Sequence, residues 1–328
     1  MAGLIVCAFM LVEEVLADSA LVKRSQYLMG TIVFVTGVAA DEATAKEAVA
    51  AGLKEIRRLE QLLSTWIPES ELSRVNAAAG EQPVKVSRET MDLLQHSLKM
   101  DLLTEGGFNI AVGPAVAVWN VSDKGRIPKL QELEAVRPLI DLSNVKLNHQ
   151  AGTVFLAVPS MQVDVGGIGK GYTADLVVDV MKAAGATAGV VAISGDIKTF
   201  GRMPDGQQFL FGIQHPRKEQ GHVLATIELE GEAVSTAGDY QRYFEQNGVR
   251  YHHILDPKTL QPARSTQSVT VIASQGVMAD GLDTGIFVMG SEKGMALIER
   301  LPEVEGVIVE AEGKVKVSSG LKGRLLIQ

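Results

Sequence analysis

Apolar residues recur at helical intervals along residues 41–63. Val49, Leu53, Ile56, Leu59 and Leu63 fall on one stripe and predict a long amphipathic helix over Asp41–Leu63. A second helix is predicted over Ser87–Thr104, where Ser87 can cap, Glu89 suits the first turn and Gly106-Gly107 stop the chain. Lys129–Val136 has the pattern of a shorter helix, and helices are also read over Tyr172–Ala184, Gly276–Met289 and Glu292–Leu301, the last with Ser291 as cap. Between them the pattern is β-like. Tyr27–Gly37 reads as one strand, and short β runs alternate with turns from Val145 to Val165. Val190–Ser194, Phe209–Ile213, Ala225–Leu229 and Val269–Ala273 read as strands, and Val307–Glu310 with Lys314–Val317 as a closing hairpin. Long helices interleaved with hairpins argue for an α+β fold rather than a purely parallel sheet. No repeat, low-complexity tract or linker divides the chain.

Composition narrows the function classes. The 328 residues are 46% hydrophobic and 21% charged, enough for one large domain or two modest ones with a full core. The net charge is −8 and the basic residues form no long run, so nucleic acid is not an expected partner. Cys7 is the sole cysteine, which excludes an intrachain disulfide and any cysteine-based zinc or iron–sulfur site. A metal would have to be held by oxygen or histidine. The apolar run Leu4–Val12 is too short to span a bilayer and suits an export signal, with Val15-Leu16-Ala17 as a cleavage zone. Residues 1–18 are therefore expected to be an export segment, residues 19–328 the working domain, and the compartment periplasmic or otherwise extracytoplasmic. The lack of Lys or Arg before the run, with Glu13 and Glu14 after it, leaves a frayed or packed helix as the alternative. A lipid anchor on Cys7 is a weaker reading, because Val6 is bulky for that role.

Three stretches carry chemistry. In Val163-Asp164-Val165-Gly166-Gly167-Ile168-Gly169-Lys170-Gly171-Tyr172, four glycines stand between a strand and a helix. Glycine permits close backbone approach and positive φ, a helix N-terminus offers N–H groups to an anion, and Lys170 adds a full charge. A phosphate-bearing ligand is expected. The stretch is no Walker A loop, but Gly169-x-Gly171-x-x-Ala174 with Asp196 downstream leaves a dinucleotide Rossmann unit open at this point. In Ala279-Asp280-Gly281-Leu282-Asp283-Thr284-Gly285, Asp280 and Thr284 share a helix face and Asp283 can join them. Carboxylate and hydroxyl oxygens suit a hard cation such as Mg2+. A solvated helix face is the plain alternative, although Gly281 and Gly285 weaken helices and need a reason to be there. Tyr251-His252-His253-Ile254-Leu255-Asp256-Pro257 supplies a candidate general base. Ser235-Thr236-Ala237-Gly238-Asp239-Tyr240 reads as a hydroxyl-rich turn, and Ser194-Gly195-Asp196 and Phe108-Asn109-Ile110-Ala111-Val112-Gly113-Pro114 are nonspecific alone. No Gly-x-Ser-x-Gly elbow, His-Glu-x-x-His or Cys/His pair is present.

In order along the chain, Met29-Gly30-Thr31, Leu63-Ser64-Thr65-Trp66 with Glu71 to Asn76, Gly107-Phe108-Asn109, Asp164 to Gly171, Ser194-Gly195-Asp196, Ser235 to Gly238, His253 to Pro257 and Ala279 to Thr284 resemble the ApbE family of FAD:protein FMN transferases. The resemblance runs from about residue 27 to 290 and displaces the Rossmann reading. It implies a T-fold-like α+β architecture with FAD in a cleft between two lobes, Mg2+ near the FAD pyrophosphate, release of AMP, and a phosphoester to a threonine hydroxyl. The implied partner is an acceptor flavoprotein, such as a subunit of a membrane redox complex, which leaves room for inner-membrane association. Positions that match FAD contacts are Met29, Trp66, Gly107, Phe108, Asn109, Asp164, Lys170 and Ile254. Gly167 through its carbonyl, Asp280, Asp283 and Thr284 match metal positions, and His253 matches the base. Leu260 stands where the family usually has glycine. The same site could instead hydrolyse FAD to FMN and AMP, or hold FAD without turnover.

Overall fold

The computed structural model describes residues 19–219 and 221–328; the expected export segment and Cys7 lie outside the described residues. The chain opens with a hairpin, β1 (Ala20–Leu28) and β2 (Thr31–Ala39), followed by α1 (Glu42–Leu63), α2 (Glu71–Ala77), β3 (Val84–Lys85) and α3 (Arg88–Leu103). Two short helices, α4 (Gly113–Trp119) and α5 (Leu130–Val136), precede β4 (Val145–Asn148) and β5 (Thr153–Leu156). Then come α6 (Gly169–Ala183), β6 (Ala188–Ile193), β7 (Asp196–Phe200), β8 (Phe209–Gln214), β9 (Val223–Leu229), β10 (Ala233–Gly238), β11 (Tyr243–Gln246), β12 (Val249–His252) and β13 (Thr266–Ala273). The chain closes with α7 (Gly276–Met289), α8 (Ser291–Arg300), β14 (Val304–Glu310), β15 (Val315–Val317) and β16 (Leu325–Ile327).

An eight-stranded sheet of order β1-β2-β6-β7-β10-β13-β14-β15 forms the frame, and its neighbouring strands run antiparallel. Side-chain alternation explains its two covers. On β10 and β13, Ala233, Ala237, Val269, Val271 and Ala273 face the main core with Leu282, Ile286 and Phe287 of α7. The intervening Val234 and Ile272 face the other way, onto Ile213, Ala225 and Ile227 of the three-stranded sheet β16-β9-β8. Helices thus cover one face and a small sheet the other, the α+β arrangement that interleaved helices and hairpins predict.

Helix ends follow local chemistry. Asp41 and Ser87 sit just outside α1 and α3 and accept from Thr44 and Thr90 N–H. Several sequence readings are corrected. Tyr27–Gly37 is not one strand: it crosses a two-residue hairpin turn in which Met29 (φ 52°) and Gly30 (φ 69°) are both left-handed, the type I′ geometry that matches strand twist. Ser235 to Gly238 is not a turn but lies in β10, flanked by β7 and β13. Helix α6 begins at Gly169, so the glycine stretch is partly its first turn. α8 begins at Ser291, with Gly290 rather than Ser291 as its cap.

Candidate active site

Close backbone contact between α6 and α7 builds the site. A Cβ on Gly171 would lie 2.1 Å from the Gly276 carbonyl oxygen, and one on Gly276 2.5 Å from that of Gly171. Only glycine permits that approach. None of Gly166, Gly167, Gly169 or Gly171 takes positive φ, so an unusual backbone angle is not what they supply; close approach decides the matter at Gly171, while a Cβ on Gly169 would meet only ordinary contact at 3.4 Å. At Gly171 the close neighbour is another helix, not a ligand. Gly285 answers the same need, because its Cβ would strike Thr104 at the end of α3.

The two helices also complete each other's hydrogen bonds. Neither has a side-chain cap from its own N-cap residue, Ile168 or Gln275. Asp280 Oδ2 accepts from Gly171 N–H (2.8 Å), while Asp175 Oδ1 and Oδ2 accept from Gly276 (2.7 Å) and Val277 (3.0 Å). The N-terminus of α6, expected from sequence to await an anion, already receives a carboxylate from α7.

Strand register supplies the rest. Ala233 pairs with Lys198 and Val234 with Ile197, which brings Ser235 of β10 beside Asp196 of β7 on the helix-facing side. Asp196, Asp280 and Asp283 are buried and present carboxylate oxygens within 4.8 Å of one another. Lys170 forms an ion pair with Asp196. Ser235 Oγ contacts both Asp196 and Asp283, the latter at 2.6 Å. A hydroxyl has one proton, so it cannot donate to two carboxylates at once; a further proton or a cation has to balance the group. Burial, with the charge of Asp196, pushes Asp280 up to about 7. Burial and the charges of Asp280 and Asp196 raise Asp283 well above the ordinary carboxylate range. Burial alone would lower the Lys170 pKa, but the surrounding carboxylates, led by Asp196, hold it above the usual lysine value. Three buried carboxylates facing one ammonium are under-neutralised. Their oxygen donors, with the Thr284 hydroxyl against the Gly167 backbone, fit a small hard divalent cation.

This cluster opens into a cleft of about 820 Å3. Trp66, Gly107, Phe108, Asn109, Asp164, Gly167, Lys170, His253, Ile254, Asp280, Asp283 and Thr284 all line it, so the structure gathers these sequence-predicted residues around one space. Met29 is not on the wall; its turn contributes Gly30 and Thr31 instead. Trp66 stands at 85% exposure on the loop after α1, and Phe108 is buried. The Asn109 amide serves the scaffold, donating to the Ile140 carbonyl and accepting from Ala111 N–H. Asp164 Oδ1 accepts from Gly166 N–H and shapes the glycine turn.

The two adjacent histidines separate by strand parity. His252 is buried, with Nε2 2.7 Å from the Ala263 carbonyl and an edge contact to Phe287, so it is a packing residue. His253 is half-buried on the cleft wall with Nδ1 3.2 Å from the Arg242 carbonyl. A carbonyl only accepts, so Nδ1 carries the proton and Nε2 keeps a lone pair. Desolvation, then the Arg242 charge, pushes its pKa down to about 3, leaving it neutral near pH 7. Sequence reasoning did not place Asp196 or Ser235 in the site. The available signal was period-two alternation, which sets Asp196 on the same strand face as Phe200 of the helix-side core.

Residues 29–308 match the ApbE family. The chain belongs to the ApbE family. With that membership it is an enzyme of the transferase class. It is 31% identical over 306 residues to a protein of Klebsiella pneumoniae named FAD:protein FMN transferase, covering 93% of this chain and 94% of that one. A Vibrio cholerae protein of the same name is 35% identical over 264 residues, covering 79% and 78%. Among solved structures, the ApbE protein of Thermotoga maritima superposes with a TM-score of 0.85 at 29% identity, covering 93% of this chain and 99% of that one. The flavin transferase ApbE of Vibrio cholerae gives 0.82 at 30%, with the same coverages.

Proposed function

We propose that this enzyme transfers the FMN half of FAD to a threonine hydroxyl of an acceptor flavoprotein, releases AMP, and requires Mg2+. The observation that carries the reading is the under-neutralised group of Asp196, Asp280 and Asp283 beside Lys170, opening into a cleft large enough for a dinucleotide. Asp280, Asp283, Thr284 and the Gly167 carbonyl would hold Mg2+, with Asp196 close by. Bound there, Mg2+ would act as a Lewis acid that neutralises charge on the diphosphate. Lys170 adds positive charge to the same region, as phosphoryl transfer needs. Trp66, Gly107, Phe108, Asn109, Asp164 and Ile254 would bind and orient FAD. His253, neutral and with Nε2 unprotonated, would take the proton of the incoming hydroxyl.

The enzyme is further proposed to act outside the cytoplasm, on a motive that rests on sequence alone: the apolar run Leu4–Val12 followed by Ala17. Among the described residues, no helix is long and apolar enough to cross a membrane. N-terminal sequencing of protein from fractionated cells tests the export reading, and an intact Met1 or Ala2 on a cytosolic form would refute it.

The decisive experiment incubates the protein with FAD, Mg2+ and candidate acceptor domains. Mass spectrometry should find an acceptor carrying FMN, lost when its receiving threonine becomes alanine. Free FMN and AMP with no labelled acceptor would replace transfer by hydrolysis, and bound FAD without products would leave a binding protein.

A further inference from the structure

The carboxylate of Asp175 has no place in the chemistry proposed above, yet it holds the start of the helix that carries Asp280, Asp283 and Thr284. Its two oxygens take the N–H groups of Gly276 and Val277, which their own cap residue leaves unbonded. Lys198, buried on β7, grips the preceding backbone from the other polarity: its ammonium donates to the carbonyls of Ser274 and Gly231 (2.6 Å for Gly231). The first turn of α7 is thus held by an anion on its N–H groups and a cation on the carbonyl just before them. One helical turn beyond Gly276 comes Asp280, which reaches back to Gly171 N–H of α6. With the backbones in contact at Gly171 and Gly276, no slack remains between the clamp and the cluster.

We propose that Asp175 is a positioning residue: it fixes the axial register of α7 against α6, and so the placement of Asp280 and Asp283 relative to Asp196 and Lys170. A carboxylate that lies outside the cluster and bonds only backbone acts on the cluster through this register, with its charge as a second, longer-range influence. The geometry accounts for an otherwise idle acid: burial raises its pKa, and the two N–H donors and the neighbouring Lys198 offset that rise only in part. The inference rests on the reading of the cluster as a cation site.

The test compares wild type, Asp175→Ala and Asp175→Asn with Asp41→Ala. Asp41 caps the distant helix α1 through Thr44 N–H, so its loss removes a cap without touching α7. Mn2+ binding to the FAD-free protein is read by electron paramagnetic resonance, alongside the Mg2+ dependence of turnover and the melting temperature. Asp175→Ala should weaken Mn2+ binding roughly 10–100-fold, the usual loss when a residue supporting metal ligands is removed. It should raise the Mg2+ concentration for half-maximal turnover in parallel. Asp41→Ala should lower the melting temperature with Mn2+ affinity unchanged. Asp175→Asn keeps one oxygen acceptor and should fall between, and it supplies the answer if the alanine variant does not fold. Wild-type Mn2+ affinity in a folded Asp175 variant would overturn the positioning role. Absence of Mn2+ binding in the wild type would instead overturn the cation-site reading on which it rests.

Discussion

Leu260 sets two physical effects against each other, and their magnitudes predict the outcome of replacing it with glycine. Its φ is 62°, a left-handed conformation that costs an ordinary L-residue roughly 1–2 kcal/mol. Glycine would relieve that strain. The Leu260 side chain is, however, fully buried among Ala115, Trp119, Leu133, Ile140 and Leu255, and its carbonyl accepts from Trp119 Nε1 at 2.7 Å. Truncating a buried leucine costs roughly 2–5 kcal/mol, and glycine adds roughly 0.5–1 kcal/mol of unfolded-chain entropy. Packing outweighs strain, and Leu260→Gly should destabilise the protein by about 3 kcal/mol. Leu260→Ala loses the same packing without relieving the strain, so it should be slightly less stable than the glycine variant. Urea unfolding followed by tryptophan fluorescence reads both, because Trp119 sits in this cluster. A glycine variant as stable as wild type would mean that strain dominates. An alanine variant clearly more stable than the glycine one would mean that the position is unstrained.

Four further outcomes are expected. Gly171→Ala places a Cβ 2.1 Å from the Gly276 oxygen, so α6 and α7 must part by about 1 Å to restore ordinary contact; FMN transfer should fall on the order of 10²-fold, and wild-type turnover would refute the contact. Asp280→Asn should leave FAD binding by fluorescence within a few-fold while AMP release loses its Mg2+ response, and an unchanged response would remove Asp280 from the metal site. His253→Ala should slow transfer by roughly 10²–10⁴-fold; Arg242→Gln, by removing a charge that disfavours the imidazolium, should move the acid limb of the pH–rate profile to higher pH, and an unmoved limb would detach His253 from the proton transfer. Chelated protein should lose stability as pH rises from about 4 to about 7: the folded state keeps a proton on Asp280 that the unfolded state releases near 3.8, so unfolding is favoured once the medium is too alkaline to supply it. Mg2+ should therefore raise the melting temperature more at pH 8 than at pH 5, and an equal rise at both would contradict the shift.

Sequence legibility followed the locality of each cause. α1, α3 and α7 were readable because periodicity and caps such as Asp41 and Ser87 act within a few residues. The turn at Met29-Gly30 was not, since methionine in a left-handed turn gives no Asn-Gly-like signal and β character continues on both sides. β10 was hidden because Ser-Thr-Ala-Gly has weak strand preference; its burial between β7 and β13 overrides it. For the site, spacing within α7 brought Asp280, Asp283 and Thr284 into view, but Asp196 and Ser235 join them only through strand register across distant segments. Gly171 of α6 does make the close approach that glycine permits, but to α7 rather than to the ligand expected from sequence, a partner that only the packing reveals.

The strand order also bears on how the chain can fold as it is made. Val33 pairs with Ile193, and Val234 pairs with both Ile197 and Ile272, so the opening hairpin has no inner neighbour until β6 is available. The buried carboxylate cluster draws on Lys170, Asp196, Ser235 and Asp283 and cannot assemble before α7 emerges. Such non-local pairing makes folding slow and leaves early strands with open edges. A nascent chain ending before residue 266 would expose the β10 edge that β13 covers, a natural target for a holding chaperone, and it would lack Asp280 and Asp283 of the carboxylate cluster. The export proposed above would be eased, for an unfolded chain, by a sheet whose completion waits on residues 266–328.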